Sequence, residues 1–87
     1  MNLQDLLNQV SPLWEKNHHT PSEEILGLHE SADKLHKAFL VNDQQRINKG
    51  VANAIIGALS IAKTLNIENL EDVLQKRIED LKNKLDD

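Results

Sequence analysis

Histidine and acidic side chains share one face of a predicted helix in the first half of the chain. His29, Asp33 and His36 are spaced by four and three residues, which brings side chains to the same side of an α-helix. Imidazole nitrogens and a carboxylate oxygen suit Zn²⁺ and related divalent ions, so these residues are a candidate metal site. The alternative is that both histidines are buried or half-buried polar residues paired across the fold. His29-Glu30 lacks the second histidine that a zincin helix requires.

Glu30 and Asp33 form a second candidate, because carboxylates three residues apart share a helix face and can supply oxygen ligands to Mg²⁺. This pattern also arises by chance in any charged helix. A Mg²⁺ site for a triphosphate needs further carboxylates from a facing helix. No Asp or Glu occurs between Gln44 and Leu65, and no Gly-rich phosphate loop or nucleophile elbow is present.

Four helices would position these residues, because apolar side chains recur at three- and four-residue spacing along most of the chain. We expect an all-α, four-helix bundle-like fold in one domain, 1–87, with helices at about 3–16, 21–40, 44–65 and 69–85. Few Gly and Pro and many helix-forming residues agree with this fold class.

Several residues mark where the helices start. Thr20-Pro21-Ser22-Glu23 predicts an N-cap at Thr20 and a capping box closed by Glu23. Asn42 or Asp43 caps the third helix and Asn69 caps the fourth. Ser11-Pro12 predicts a kink or a restart in the first helix.

Composition limits the classes of partner and the compartment. The net charge of −4 with interspersed acids and bases, and a single Trp and Phe, argue against nucleic-acid binding. No cysteine is present and no apolar run is long enough to span a bilayer. We therefore expect a cytoplasmic protein with neither nucleic acid nor membrane as partner.

The third helix is apolar around more than half of its circumference, which predicts a central position. Three companion helices in one small chain would cover it only partly, so we expect a homo-oligomer, either a dimer or a tetramer. Small residues such as Ala54 and Gly57 would allow close helix approach. The alternative is that they fit a crowded monomer core.

Segments between residues 14 and 82 resemble those of a known family. They are Trp14-Glu15-Lys16, His19-Thr20-Pro21, the helix centre at 28–35, the apolar helix with its Leu-x-Ile turn at 51–67, and 70–78. This order is similar to the MazG-like nucleotide pyrophosphohydrolases of the all-α NTP pyrophosphatase superfamily. The resemblance implies a MazG-type fold and Mg²⁺-dependent hydrolysis of nucleoside triphosphates to monophosphate and pyrophosphate.

The resemblance also implies four metal ligands, in Glu-x-x-Glu on one helix and Glu-x-x-Asp on the next. Glu30 and Asp33 match the first motif, with Asp in place of Glu; a count without gaps from Pro21 places Ser31 and Lys34 there instead. Gly50 and Asn53 occupy the positions of the second motif, and Lys49 adds a positive charge beside them.

A site with so few carboxylates would bind Mg²⁺ poorly. We therefore expect a catalytically degenerate MazG-like protein that acts through oligomer or protein contacts, or by binding a nucleotide without hydrolysis. One alternative is an active house-cleaning pyrophosphohydrolase that binds Mg²⁺ through relocated ligands, namely His29, Glu30, Asp33 and His36. Another is a small helical-bundle immunity or regulatory protein.

Overall fold

The computed structural model describes residues 2–15 and 20–85. These residues form helices and connecting turns and contain no strand. The helices are α1 Leu3–Glu15, α2 Pro21–Leu40, α3 Gln44–Thr64 and α4 Leu70–Leu85. The expected all-α, four-helix bundle-like fold is confirmed. The predicted connector at 17–19 and the side chain of Trp14 lie outside the described part.

The first helix runs without interruption through Pro12, so the predicted restart at Ser11 is wrong. Proline in a helix interior removes one backbone donor and costs about 3 kcal/mol. The apolar face of α1, on which Val10 is buried, opposes that cost and favours a continuous helix.

Two of the predicted N-caps are confirmed. The Glu23 backbone N–H donates to Thr20 Oγ1 at 3.2 Å, and the Thr20 N–H donates back to Glu23 Oε1 at 3.4 Å. Asp43 Oδ1 accepts from the Arg46 N–H at 3.2 Å, so Asp43 is the cap of α3. These bonds satisfy donors that a helix start leaves unpaired.

Asn69 does not cap α4 through its side chain as predicted. Its φ angle is 55°, whereas a residue that caps through its side chain typically has an extended backbone. Its carbonyl oxygen instead accepts from the N–H groups of Asp72 and Val73 at 3.0 and 3.1 Å.

The ends of α2 and α3 share one geometry. Asn42 and Asn66 have φ angles of 55° and 54°, the left-handed conformation that asparagine tolerates better than most residues. After Asn42, the Asp43 N–H donates to the Ala38 carbonyl at 3.1 Å. After Asn66, the Ile67 N–H donates to the Ala62 carbonyl at 2.9 Å. Both are Schellman motifs, which end a helix sharply and turn the chain.

Helices α2 and α3 pack against each other as an antiparallel hairpin, and α1 packs against α3. Glycine sets the separation of the hairpin, because a Cβ at Gly50 would lie 3.1 Å from Leu35 Cβ. A Cβ at Gly57 would lie 3.5 Å from Leu28 Cδ1, an ordinary contact. The tight approach within the chain therefore lies at Gly50, which the sequence prediction did not name, and not at Gly57, which it did.

Helix α4 makes only sparse contacts with the other described helices. One of them is a hydrogen bond from the Leu3 N–H to Glu71 Oε1 at 3.3 Å. The radius of gyration is 14.8 Å, against roughly 12 Å for a compact domain of this length. The chain is thus a packed hairpin with α1 against it and a fourth helix that is mostly uncovered.

Candidate functional site

The predicted metal ligands on α2, namely His29, Glu30, Asp33 and His36, are all exposed. The histidines are thus not the buried or half-buried residues of the alternative interpretation. Across residues 2–15 and 20–85, no group of three or more His, Cys, Asp or Glu side chains is placed to hold a metal ion. Metal binding by these four residues stays a prediction.

Asp33 has a partner of its own. Lys37 Nζ lies 3.0 Å from Asp33 Oδ2, one helical turn further on. The hydrogen bond and positive charge of Lys37 hold the pKa of Asp33 below its usual value, and His36 and His29 lower it further. The carboxylate is therefore engaged in an exposed ion pair of the kind common on helix surfaces.

Asn53 and Gly50, at the positions where the resemblance places the second acidic motif, lie on the side of α3 that faces α2. Gly50 is buried beneath Leu35. Asn53 lines two neighbouring depressions between the helices, one together with Ser31 and the other together with Lys34. The α2 residues beside Asn53 are therefore Ser31 and Lys34, which the count without gaps from Pro21 places at the first motif, and not Glu30 and Asp33.

The depression shared with Lys34 is lined by cationic side chains. Its lining consists of Lys34, Lys37, Ala38, Arg46, Lys49, Gly50 and Asn53. No carboxylate is among them, so this lining offers no charged oxygen ligand to a divalent cation. The charge at the positions where the resemblance places the second acidic motif is thus the opposite of that of a Mg²⁺ site.

The other depression contains an acidic residue that sequence reasoning missed as a site residue. Glu24 is only 9% exposed, and its Oε1 accepts from Thr64 Oγ1 at 2.8 Å. Its second oxygen, Oε2, is buried without a hydrogen-bond partner in the described structure. A buried, half-paired carboxylate is costly, although the start of α2 favours negative charge.

No sequence signal distinguishes Glu24 from a solvated first-turn acid. It follows Glu23, which closes the capping box, and acids are common in the first turn of a helix. Only the antiparallel register of the hairpin, which places the start of α2 beside the end of α3, brings Glu24 to Thr64. Ser60 has the most buried side chain among the described residues. Its hydroxyl donates to the Ile56 carbonyl of its own helix at 2.6 Å and so has a structural role.

Comparisons with protein-family models, with curated proteins and with solved structures gave no match. The class that fold and site define is an all-α, four-helix protein with a cationic depression on its central hairpin. None of the helices in the described part has the length and apolar character needed to cross a membrane.

Proposed function

We propose that this chain is a non-catalytic, MazG-like all-α protein that acts as a homo-oligomer, either a dimer or a tetramer, in the cytoplasm. The observation that carries the proposal is the amount of surface that one chain leaves uncovered.

The accessible surface of the chain is 7097 Å². A compact monomer of 9.9 kDa would expose roughly 5,200 Å². The excess, about 1,900 Å² per chain, exceeds the roughly 800 Å² that each partner contributes to a standard interface and falls in the range of obligate oligomers. Association with further copies would remove that excess.

Two apolar areas of the uncovered surface lie on α4 and α3. On α4, Val73, Leu74, Ile78 and Leu81 repeat at helical spacing, and each is between 43% and 51% exposed. No residue of α4 is buried. A stripe of this kind is what a helix presents to a partner helix.

The second apolar area lies on α3. Val51 and Ile55 are one turn apart and are 45% and 52% exposed. Apolar side chains buried in one chain are few, namely Val10, Ala38, Leu59 and Ala62 among the described residues. A core of that size would be marginal alone, which favours a second copy as the cover for both areas.

The non-catalytic part of the proposal is supported by charge. Four carboxylates hold the cations in the family that the sequence resembles, whereas Gly50 and Asn53 supply none here and Lys34 and Lys49 lie beside them. Positive side chains at that place repel Mg²⁺ and leave no group to activate water.

The test of the assembly is the mass of the purified full chain by light scattering after size-exclusion chromatography. We expect a dimer or tetramer, and a melting temperature that falls on dilution because folding and association are coupled. A monomer whose melting temperature is independent of concentration would reject the proposal.

The test of the missing activity is pyrophosphate release from a panel of nucleoside triphosphates with Mg²⁺ or Mn²⁺. We expect none above background. Turnover that disappears in Glu30→Ala would overturn the proposal and would favour the active house-cleaning enzyme. An inert monomer that captures one defined protein would instead favour the regulatory alternative.

A further inference from the structure

Positive charge is concentrated on one part of the hairpin. Of the ten basic residues in the chain, four fall between positions 34 and 49, where Asp43 is the only acid. The rest of the chain is strongly acidic, since the total is −4. The four are Lys34 and Lys37 on α2, and Arg46 and Lys49 on α3.

The hairpin brings these four side chains to a single depression of about 400 Å³, a size typical of small-molecule sites. Each helix contributes a pair three residues apart, and such pairs share a helix face. The contact of Gly50 with Leu35 fixes the register in which the two pairs meet. Four like charges in one place repel each other, so the arrangement favours an anion between them.

Carboxylates of the protein neutralise only part of this charge. Lys37 pairs with Asp33 at 3.0 Å, and Arg46 Nε lies 3.8 Å from Asp43 Oδ2. Lys34 and Lys49 have no carboxylate partner in residues 2–15 and 20–85. The two unpaired ammonium groups are on opposite helices, and Asn53 adds an amide donor to the same lining.

We propose that this depression binds the oligophosphate group of a small molecule directly, without a divalent cation. Several negative oxygens close together match four cationic donors, and ammonium and guanidinium groups are the usual phosphate ligands. The lining has no carboxylate to hold a bridging metal ion. Nucleic acid fits less well, because its long backbone would extend onto the acidic remainder of the surface.

This inference goes beyond self-association and does not depend on it. The side chains that carry it come from α2 and α3 of a single chain, and they lie away from the exposed stripe of α4. Binding without hydrolysis follows from the same chemistry, since the site holds charge but supplies no metal-bound water.

The test is calorimetric titration of the full chain with inorganic tripolyphosphate in the presence of EDTA. We expect one site per chain, affinity that falls with added salt, and displacement of tripolyphosphate by ATP. Excess Mg²⁺ should weaken binding, because it neutralises the phosphates before they reach the lysines.

Lys34→Gln and Lys49→Gln should each weaken binding about tenfold, the usual consequence of losing a charge-assisted hydrogen bond. Lys82→Gln makes the same charge change on α4, outside the depression, and should alter affinity less than about twofold. All three positions are exposed, and circular dichroism of each variant verifies that the helices remain.

Four results would overturn the inference: no binding at millimolar tripolyphosphate, an equal loss in Lys82→Gln, tighter binding with Mg²⁺, or tighter binding of a short single-stranded DNA. Light scattering on the same samples separates this inference from the proposed function. If the chain is a monomer that binds tripolyphosphate, only the proposed self-association is rejected. If it is an oligomer that does not bind tripolyphosphate, only the proposed phosphate site is rejected.

Discussion

The α2–α3 hairpin and helix α4 have similar amphipathic sequences, but only the hairpin helices bury part of their surface against each other. The helices of the hairpin are capped at Thr20 and Asp43 and end in two Schellman motifs. Their backbones are so close that a Cβ at Gly50 would lie 3.1 Å from Leu35. Helix α4 buries none of its residues. An amphipathic pattern therefore predicts that the apolar face of a helix will be buried. It does not predict whether that face packs against the same chain or against another copy.

The largest expected effect comes from a substitution on the exposed apolar stripe of helix α4. Ile78→Glu places a charge in the middle of the α4 stripe, where Ile78 is 45% exposed in one chain. If a second copy covers the stripe, burying the charge should cost at least about 3 kcal/mol per subunit. We expect dissociation to monomers and a large fall in melting temperature, measured by light scattering and thermal denaturation.

Asn83→Glu is the matched control, because it makes the same charge change on the opposite side of α4. It should leave both mass and melting temperature nearly unchanged. Loss of the oligomer in both variants would mean that total charge, and not the apolar stripe, governs association.

The next effect comes from a substitution in the packed interface between α2 and α3. Gly50→Ala forces a methyl group against Leu35 at 3.1 Å, and overpacking of this kind costs about 1–3 kcal/mol. Alanine recovers about 1 kcal/mol in helix propensity. We expect net destabilisation of about 1 kcal/mol, measured by urea denaturation.

Gly57→Ala provides the contrast within the same interface. Its new Cβ would meet Leu28 at an ordinary 3.5 Å, so only the propensity term applies and stability should rise by up to about 1 kcal/mol. Stabilisation by both substitutions would show that Leu35 moves freely and that Gly50 does not set the helix separation.

An effect of similar size concerns the open end of the hairpin. Thr64→Val removes the one hydrogen bond that residues 2–15 and 20–85 give to the buried Glu24 carboxylate and should destabilise the fold by about 1–2 kcal/mol. In a Glu24→Leu background no carboxylate is left to satisfy, so the same change should cost much less. Equal costs in the two backgrounds would mean that the pair is not coupled.

The secondary structure follows from local sequence, and the placement of charge follows from register. Helix bounds and the Thr20 capping box were predictable, since apolar spacing and caps are short-range signals. The restart at Ser11, one of two alternatives for α1, was wrong, and the left-handed backbone of Asn69 was missed, because neighbouring packing and turn geometry overrule local preference. The count without gaps placed Lys34 at a motif position, whereas no sequence signal singled out Glu24, and only the pairing of α2 with α3 assigns both residues to depressions.

The smallest effect concerns the exposed ion pair beside the cationic depression. The hydrogen bond and charge of Lys37 lower the pKa of Asp33, so its folded pKa lies below the unfolded value. The pair therefore adds stability above the unfolded pKa, near 4, and loses it as the pH falls through the folded pKa. Solvent exposure at both ends keeps this contribution too small to move the melting temperature.

The pKa itself is the sensitive measurement, by NMR titration of the Asp33 carboxyl carbon. Lys37→Gln should raise the pKa of Asp33 towards its usual value, because the leading hydrogen bond and charge are gone. Lys34→Gln removes the same charge one residue away from Asp33 but breaks no bond to it, so its effect should be smaller. Equal shifts of the Asp33 pKa in the two variants would mean that Asp33 responds to the summed charge of the depression. A pKa shift confined to Lys37→Gln would mean that Asp33 interacts with Lys37 alone. Lys34 and Lys49 would then be available to bind an anion from solution.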